Sequence, residues 1–368
     1  MSDDRGIRNL AWELTKEVLG QLEPEALRFG RDEIEKTAAL PLDVIDLGEK
    51  KNLPNKLLRA ASICRAIWRA ISTTAESLRR GEQVVKEPEG IAELVKVSFG
   101  SHIKETGEET AVAVLEHLFR QCPSLIDLIL GLALSPVIPA CEPLGVMERG
   151  LLKVEASSGF VVSDQGHVLT AAHVVRKNAE VQTLFRYRTP YRDVKEKEAQ
   201  AEIIHYDEKK DVCVLQIVRS DWQNLWELGV QPLPLSTTWT SGEWVLCLGY
   251  QEQEIFADPI TVEAFIKRWD PVRAVRFRGE QVERDCLVLV IPHDYPAVAP
   301  GMSGGPVLAL NRCQVIGMVT GANREAWVKQ RWKGEEIWEL VSSARYGFAT
   351  PLSWVAESWP EFRECCLK

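Results

Sequence analysis

Histidine is scarce in this 368-residue chain, six in all, and the cysteines follow no ligand spacing. The nine thiols, Cys64, Cys122, Cys141, Cys213, Cys247, Cys286, Cys313, Cys365 and Cys366, include no Cys-x-x-Cys pair and no grouping with histidine along the chain. That leaves no sequence case for a zinc motif, whose ligands come in pairs a few residues apart. An odd, irregular set also argues against a disulfide framework. Cys213, Cys247 and Cys286 fall inside apolar stretches where a small buried thiol is the default, so the pattern reads as a reducing compartment. Positive charge is in deficit, with 44 Lys and Arg against 53 Asp and Glu, a net charge of -9 and a pI near 5.4. A general nucleic-acid or anionic-membrane binder is thereby disfavoured. No apolar run suffices to span a bilayer, because the most hydrophobic stretch, residues 125–140, is interrupted by Asp127 and Pro136. Residues 1–6 turn directly into an amphipathic pattern and lack the basic-then-apolar plan of a signal peptide. The chain is free of low-complexity segments and internal repeats. The expectation is a soluble, cytoplasmic protein with no cofactor, no metal, no nucleic-acid partner and no membrane partner.

What is present divides in two. Residues 1–134 carry apolar positions at spacings of three and four, the signature of helices with one buried face. Ile7, Leu10, Ala11, Leu14, Val18 and Leu19 form one such stripe. Leu57, Leu58, Ala61, Cys64, Ile67, Trp68, Ile71 and Leu78 form a longer one, with Pro54 and Asn55 suited to its start and Gly81 to its end. A further helical region spans residues 90–134, and Pro136, Pro139 and Pro143 mark a linker. The predicted organisation is a helical region over 1–88, further helices over 89–134, a proline-containing linker over 135–148 and a second domain over 149–368. His102 and His117 have no partner at ligand spacing and are read as surface or packing residues.

The second domain reads as strands with three motifs. Ser158-Gly159-Phe160-Val161-Val162 and Val168-Leu169-Thr170-Ala171-Ala172-His173 flank the turn Asp164-Gln165-Gly166 and end in a histidine. Asp211 leads into the apolar run Val212-Cys213-Val214-Leu215-Gln216-Ile217. Pro300-Gly301-Met302-Ser303-Gly304-Gly305-Pro306 sets a serine in a glycine-rich turn. A serine hydroxyl is a poor nucleophile without a base beside it and a third group to orient that base, so His, Asp and Ser in this order are a triad candidate. Singly, each has a bland reading as a structural histidine, a turn or a cap.

These motifs resemble those of the chymotrypsin-like (trypsin-like) serine proteases, more closely the bacterial and HtrA-like branch than the digestive enzymes. The resemblance implies an all-β double six-stranded barrel over 149–368, following the N-terminal all-α region. It implies Ser303 as nucleophile, His173 as general base and then acid, Asp211 as the carboxylate that fixes the imidazole, and the amides of Gly301 and Ser303 as the oxyanion hole. Met302 stands where digestive enzymes carry the aspartate of their zymogen switch, so that switch is expected to be absent. Ala297 stands where trypsins carry the aspartate at the pocket base, which favours an uncharged, small to medium residue before the cut; Asp294, nearby, complicates that expectation. Thr320, Gly321, Ala322 and Gly347 are the remaining expected pocket residues, Val315–Gly321 matching the family's substrate-pairing strand and 347–352 the pocket's far wall.

Residues 322–346, with Trp327, Trp332 and Trp338, are read either as a substrate-selecting or autoinhibitory loop or as a hairpin packed on the barrel. The helical half carries no catalytic constellation and is expected to bind a protein partner and regulate the enzyme. Its plan is similar to that of bacterial conflict and antiviral defense systems that fuse trypsin-like domains to helical adaptors. The function expected is thus an intracellular serine endopeptidase acting on protein substrates. The rivals are a protease-fold interaction protein and a housekeeping quality-control protease.

Overall fold

Helix formation in the N-terminal half follows the apolar spacing. A computed structural model describes residues 3–39, 54–81, 85, 87–103, 109–134, 149–175, 180–188, 194–251, 259–277, 283–292, 297–321, 325–342 and 345–367. Helix α1 (Asp3–Leu22) buries all six residues of the first stripe. After α2 (Arg31–Ala39) comes α3 (Asn55–Arg79), preceded by Pro54, whose extended backbone cannot continue a helix N-terminally. It ends at Gly81, where a φ of 69° suits a residue without a Cβ and the amide donates to Leu78 O. The region expected over 90–134 is three helices, α4 (Pro88–Ile103), α5 (Glu109–Gln121) and α6 (Ser124–Leu134). Pro123 separates the last two, having no amide hydrogen to extend α5. Helix α3 is central, packed by α1, α2, α4 and α6 around Ile63, Ile67 and Ile71. The linker expected over 135–148 lies outside the described residues.

By its contacts the chain forms two units, Met1–Pro136 with Gln330–Glu339, and Val137–Lys329 with Leu340–Lys368. The first unit therefore includes a piece of chain from far downstream. Inside it, the buried carboxylate of Glu339 accepts from the backbone amide of Ser124 at 3.2 Å, from the Ser124 hydroxyl and from Gln330 Nε2 at 3.2 Å. Ser124 opens α6, so Glu339 serves as the cap that its N-terminal amides lack. Glu89 accepts from the Lys333 amide, and Arg120 pairs with Glu335 at 3.0 Å.

The second unit is built on strands. A closed barrel joins β1 (Leu151–Val154), β2 (Ser157–Val161), β3 (His167–Thr170), β6 (Val212–Ile217), β5 (Val194–Asp207) and β4 (Val181–Arg188) in that order. Phe185, Val168, Cys213 and Leu215 fill its interior. A second ring runs through β8 (Ile260–Ile266), β7 (Trp244–Gly249), β11 (Pro306–Ala309), β12 (Gln314–Val319), β15 (Tyr346–Pro351) and β10 (Arg284–Val290), closed by pairing of β10 with β8. Val245, Leu287, Met302 and Ile316 lie in its core. The double six-stranded barrel expected from the motifs is thus present. Beyond β10 the sheet continues through β9 (Val272–Phe277) to β13 (Glu325–Trp332) and β14 (Glu335–Ser342). The tryptophan-bearing segment is accordingly a hairpin. Of its tryptophans only Trp332 is buried, while Trp327 and Trp338 are exposed. Short helices complete the chain: α7 (Arg219–Glu227), α8 (Leu352–Ser358) and α9 (Phe362–Cys366). Among the described residues no helix is long and apolar enough to cross a membrane.

Candidate active site

Two elements of the first barrel meet to hold the expected base. β3 runs into a single 3-10 turn, Ala172–Val174, which carries His173 at its centre. Asp211 closes the turn between β5 and β6 with a left-handed φ of 56°, a conformation that aspartate tolerates better than most residues with a Cβ. Its carbonyl accepts from the Ala172 amide at 3.2 Å, tying the two turns together. The carboxylate then takes the His173 amide at 3.0 Å on Oδ1 and His173 Nδ1 at 2.8 Å on Oδ2. Because an ionised carboxylate only accepts, Nδ1 carries a hydrogen, which in the neutral ring leaves the lone pair on Nε2.

The second barrel supplies two further donors to the same oxygen. Thr320 Oγ1 donates to Asp211 Oδ2, and Arg284 Nη1 lies 3.2 Å from it. Burial raises the Asp211 carboxyl, yet the hydrogen bond and charge of His173, the Thr320 hydroxyl and the Arg284 guanidinium together hold it below the ordinary carboxylate value. Thr320 was expected in the substrate pocket. Its hydroxyl is turned instead onto the carboxylate, and its amide donates to Phe348 O at 2.9 Å.

Ser303 sits in the turn before β11, with little exposure. Ser158 N donates to Ser303 O at 3.0 Å and Gly304 N to Val319 O at 2.8 Å, which fixes the turn between the β2 end and the strand leading to Thr320. A Cβ on Gly304 would lie 2.1 Å from Ser158 O and 3.1 Å from Ala171 N, so glycine alone lets Ser303 approach the chain just before His173. Gly301 has a φ of 95°, and its carbonyl accepts from Ser158 Oγ at 2.7 Å. The amides of Gly301 and Ser303 donate to no group among the described residues. Among the described residues no hydrogen bond joins Ser303 Oγ to His173, as is common in apo sites, whose catalytic hydrogen bonds tighten with substrate. Met302 folds into the second barrel's core, its Sδ accepting from the Ala299 amide at 3.4 Å.

Of the expected pocket residues, Ala297 is half-buried, and a Cβ on Gly347 would meet the buried Val298 at 3.1 Å. Gly321 abuts Phe277, whose ring leaves no room for a side chain there. Ala322 and Asp294 lie outside the described residues. Sequence reasoning missed Arg284, because nothing in a strand pattern flags an arginine that the fold turns toward a carboxylate 73 positions upstream (284 minus 211).

One metal-ligand grouping forms among the described residues: His167, Cys365 and Cys366 bring ligand atoms within 4.8 Å of one another. Their separation along the chain hid it from sequence reading. Ser163 Oγ accepts from the amides of Gln165 (3.2 Å) and His167 (3.3 Å) and so gives its own hydrogen to His167 Nδ1 at 2.7 Å. The other ring nitrogen then carries a proton, and burial raises the Cys366 thiol, so both groups disfavour metal ligation.

The family model described as a trypsin-like peptidase domain matches residues 157–318, a stretch that takes in His173, Asp211 and Ser303. The chain is similar to HtrA-like proteins. The probable periplasmic serine endoprotease DegP-like of Hahella chejuensis is 31% identical over 172 residues, 47% of this chain and 30% of the relative. Its counterpart in Pseudomonas savastanoi pv. phaseolicola is 28% identical over 172 residues, 47% of this chain and 29% of the relative. The chain thus spans about a third of the length of the curated relatives that it matches. Among solved structures, the HtrA-type protease AlgW with decapeptide is 18% identical, with a TM-score of 0.37, covering 57% of this chain and 52% of that one. The serine endoprotease from Yersinia pestis is 15% identical, with a TM-score of 0.38, covering 62% and 68%.

These relatives overturn the expected cytoplasmic location, and with it the intracellular setting, since both curated proteins are named periplasmic. The physical reason lies in the thiols. Cys64, Cys213, Cys247 and Cys286 are free and buried, and a buried thiol packs as a small apolar group in either redox compartment. Cysteine usage therefore carried no information on location.

Proposed function

We propose that this protein is a serine endopeptidase that cleaves protein substrates through an acyl-enzyme. Ser303 attacks the scissile carbonyl, and His173 Nε2 takes the serine proton and returns it to the leaving amine. Asp211 holds the imidazole in that tautomer and stabilises its cation, and the amides of Gly301 and Ser303 receive the oxyanion. The observation that carries this reading is the double grip of one buried carboxylate on both the backbone amide and Nδ1 of His173. A scaffold using the fold only to bind peptides would have no use for it. Ala297 and Gly347 are proposed to line a pocket for an uncharged residue before the cut.

The finer reading is that the helical unit binds a protein partner and regulates cleavage. The hairpin supports it: residues 330–339 group with the helices, whereas Ala326, in the same strand, pairs with Phe277 of β9.

The test is labelling of the full chain with a fluorophosphonate, alongside Ser303→Ala, followed by a peptide-library cleavage profile. Labelling that disappears in Ser303→Ala supports the endopeptidase. Absence of labelling under all conditions would favour the peptide-binding scaffold. For the regulatory reading, Arg120→Ala with Glu89→Ala, which removes the acceptor of the Lys333 amide, should alter the labelling rate without touching the triad.

A further inference from the structure

Catalytic carboxylates in a triad do their work by offering negative charge to an imidazolium. Asp211 offers its charge to an imidazole and a guanidinium at once. Oδ2 receives His173 Nδ1 from the 3-10 turn at 2.8 Å and lies 3.2 Å from Arg284 Nη1 of β10, with the Thr320 hydroxyl donating to the same oxygen. The guanidinium is held in place from its other side: Arg284 Cζ lies 5.6 Å from the Phe277 ring, which itself stacks edge-on with Phe348 at 5.5 Å and closes over Gly321. Arg284 is mostly buried and Asp211 almost wholly so, which leaves little water to screen the pair.

We propose that Arg284 is a positioning residue for the triad: it keeps the Asp211 carboxylate ionised and aimed while the imidazole is neutral, and it competes with the imidazolium for that carboxylate. The inference rests on the assignment of His173 as general base. An arginine cannot give up its proton, so its charge is present at every working pH. When His173 becomes protonated, it meets a carboxylate already half-neutralised, and the cation is stabilised less than it would be beside Asp211 alone. The charge that reaches the imidazolium is thereby smaller than a lone Asp211 would supply. Other titratable or charged groups face the pair. Tyr206 of β5 and Cys213 of β6 both feel the Asp211 charge. Arg284 also lines a cavity of about 400 Å³ with Lys209, Lys210, Glu283, Asp285 and Glu357. Lys210 is engaged there by Glu357 at 3.0 Å, and of the cations lining that cavity Arg284 is the one within ion-pair distance of Asp211 among the described residues.

The experiment uses the full chain as Arg284→Gln, Arg284→Met and Arg284→Lys. Two readouts are taken: the acid limb of the kcat/KM profile, and the NMR midpoint of the His173 imidazole, assigned by its loss in His173→Ala. Both neutral variants are expected to move the limb and the midpoint up, and Arg284→Lys to bring them back toward wild type. A midpoint that stays put in the neutral variants overturns the proposal. So does loss of cooperative melting in both neutral variants while Arg284→Lys melts normally, which would make Arg284 a structural counter-ion and nothing more. The NMR midpoint needs no turnover, so a protein that never labels with fluorophosphonate would remove the endopeptidase reading without deciding this one.

Discussion

At the scale of single residues, Asp211 concentrates the greatest consequence in the fewest atoms. Its two oxygens accept from His173 twice and from Thr320, and Oδ2 also faces Arg284. Asp211→Asn keeps the shape but gives one of these positions an amide that donates, which drives His173 toward the tautomer with Nδ1 bare and Nε2 protonated. Turnover is expected to fall on the order of ten-thousandfold at neutral pH, measured as kcat on a peptide from the library profile. Ala297 has a subtler consequence. Ala297→Asp places a carboxylate at the expected pocket base and should raise kcat/KM for arginine over valine before the cut by about tenfold, the equivalent of ~1.4 kcal/mol for one charge-assisted contact. A profile unchanged by this substitution would place the pocket elsewhere.

Among elements, the β13–β14 hairpin is the one whose role could least be read from its residues. Its tryptophans and charges fit either a loop or a hairpin, and no local pattern says that Glu339 meets Ser124, because that contact joins positions 215 apart. Glu339→Ala removes a buried acceptor from the first amide of α6 and from Gln330, and should destabilise the helical unit by about 2 kcal/mol. Denaturant unfolding followed by helical circular dichroism would show it as a lower midpoint. The strands around the site were far more legible. Alternation gave away β2 and β3, the run after Asp211 gave away β6, and the glycines at 301, 304 and 305 announced the tight turn at Ser303. The triad candidates were visible because their chemistry tolerates few residue types and their order is fixed by topology. Arg284, the hidden function of Thr320 and the His167, Cys365 and Cys366 grouping were not, since each depends on which way a side chain turns in three dimensions.

For the whole molecule, acid is expected to act in two stages. Burial lowers the pKa of His167 and of His205, so the unfolded chain takes up protons that the folded chain refuses as pH falls below about 6.5. Stability should decline from there until these groups protonate in the folded state too. Asp211, held low by the partners described above, and Asp207, which burial raises but the Lys210 amide and Ser358 hydroxyl pull down below the ordinary value, make a second contribution. That contribution is full above about 4 and disappears as pH drops through their lowered folded values. Urea midpoints from pH 8 to pH 3 should therefore fall in two steps, and His167→Gln should shrink only the upper one. Finally, the presence of residues 330–339 in the first contact unit governs the timing of assembly. A ribosome delivers α1 to α6 long before it delivers Glu339, and the cap on α6 must wait for some 200 intervening residues (339 minus 124 is 215). The helices emerge first yet are completed only once the first barrel and all of the second except β15 have been synthesised, so the N-terminal region of the nascent chain stays open to chaperones and to misassembly for as long as that delay lasts.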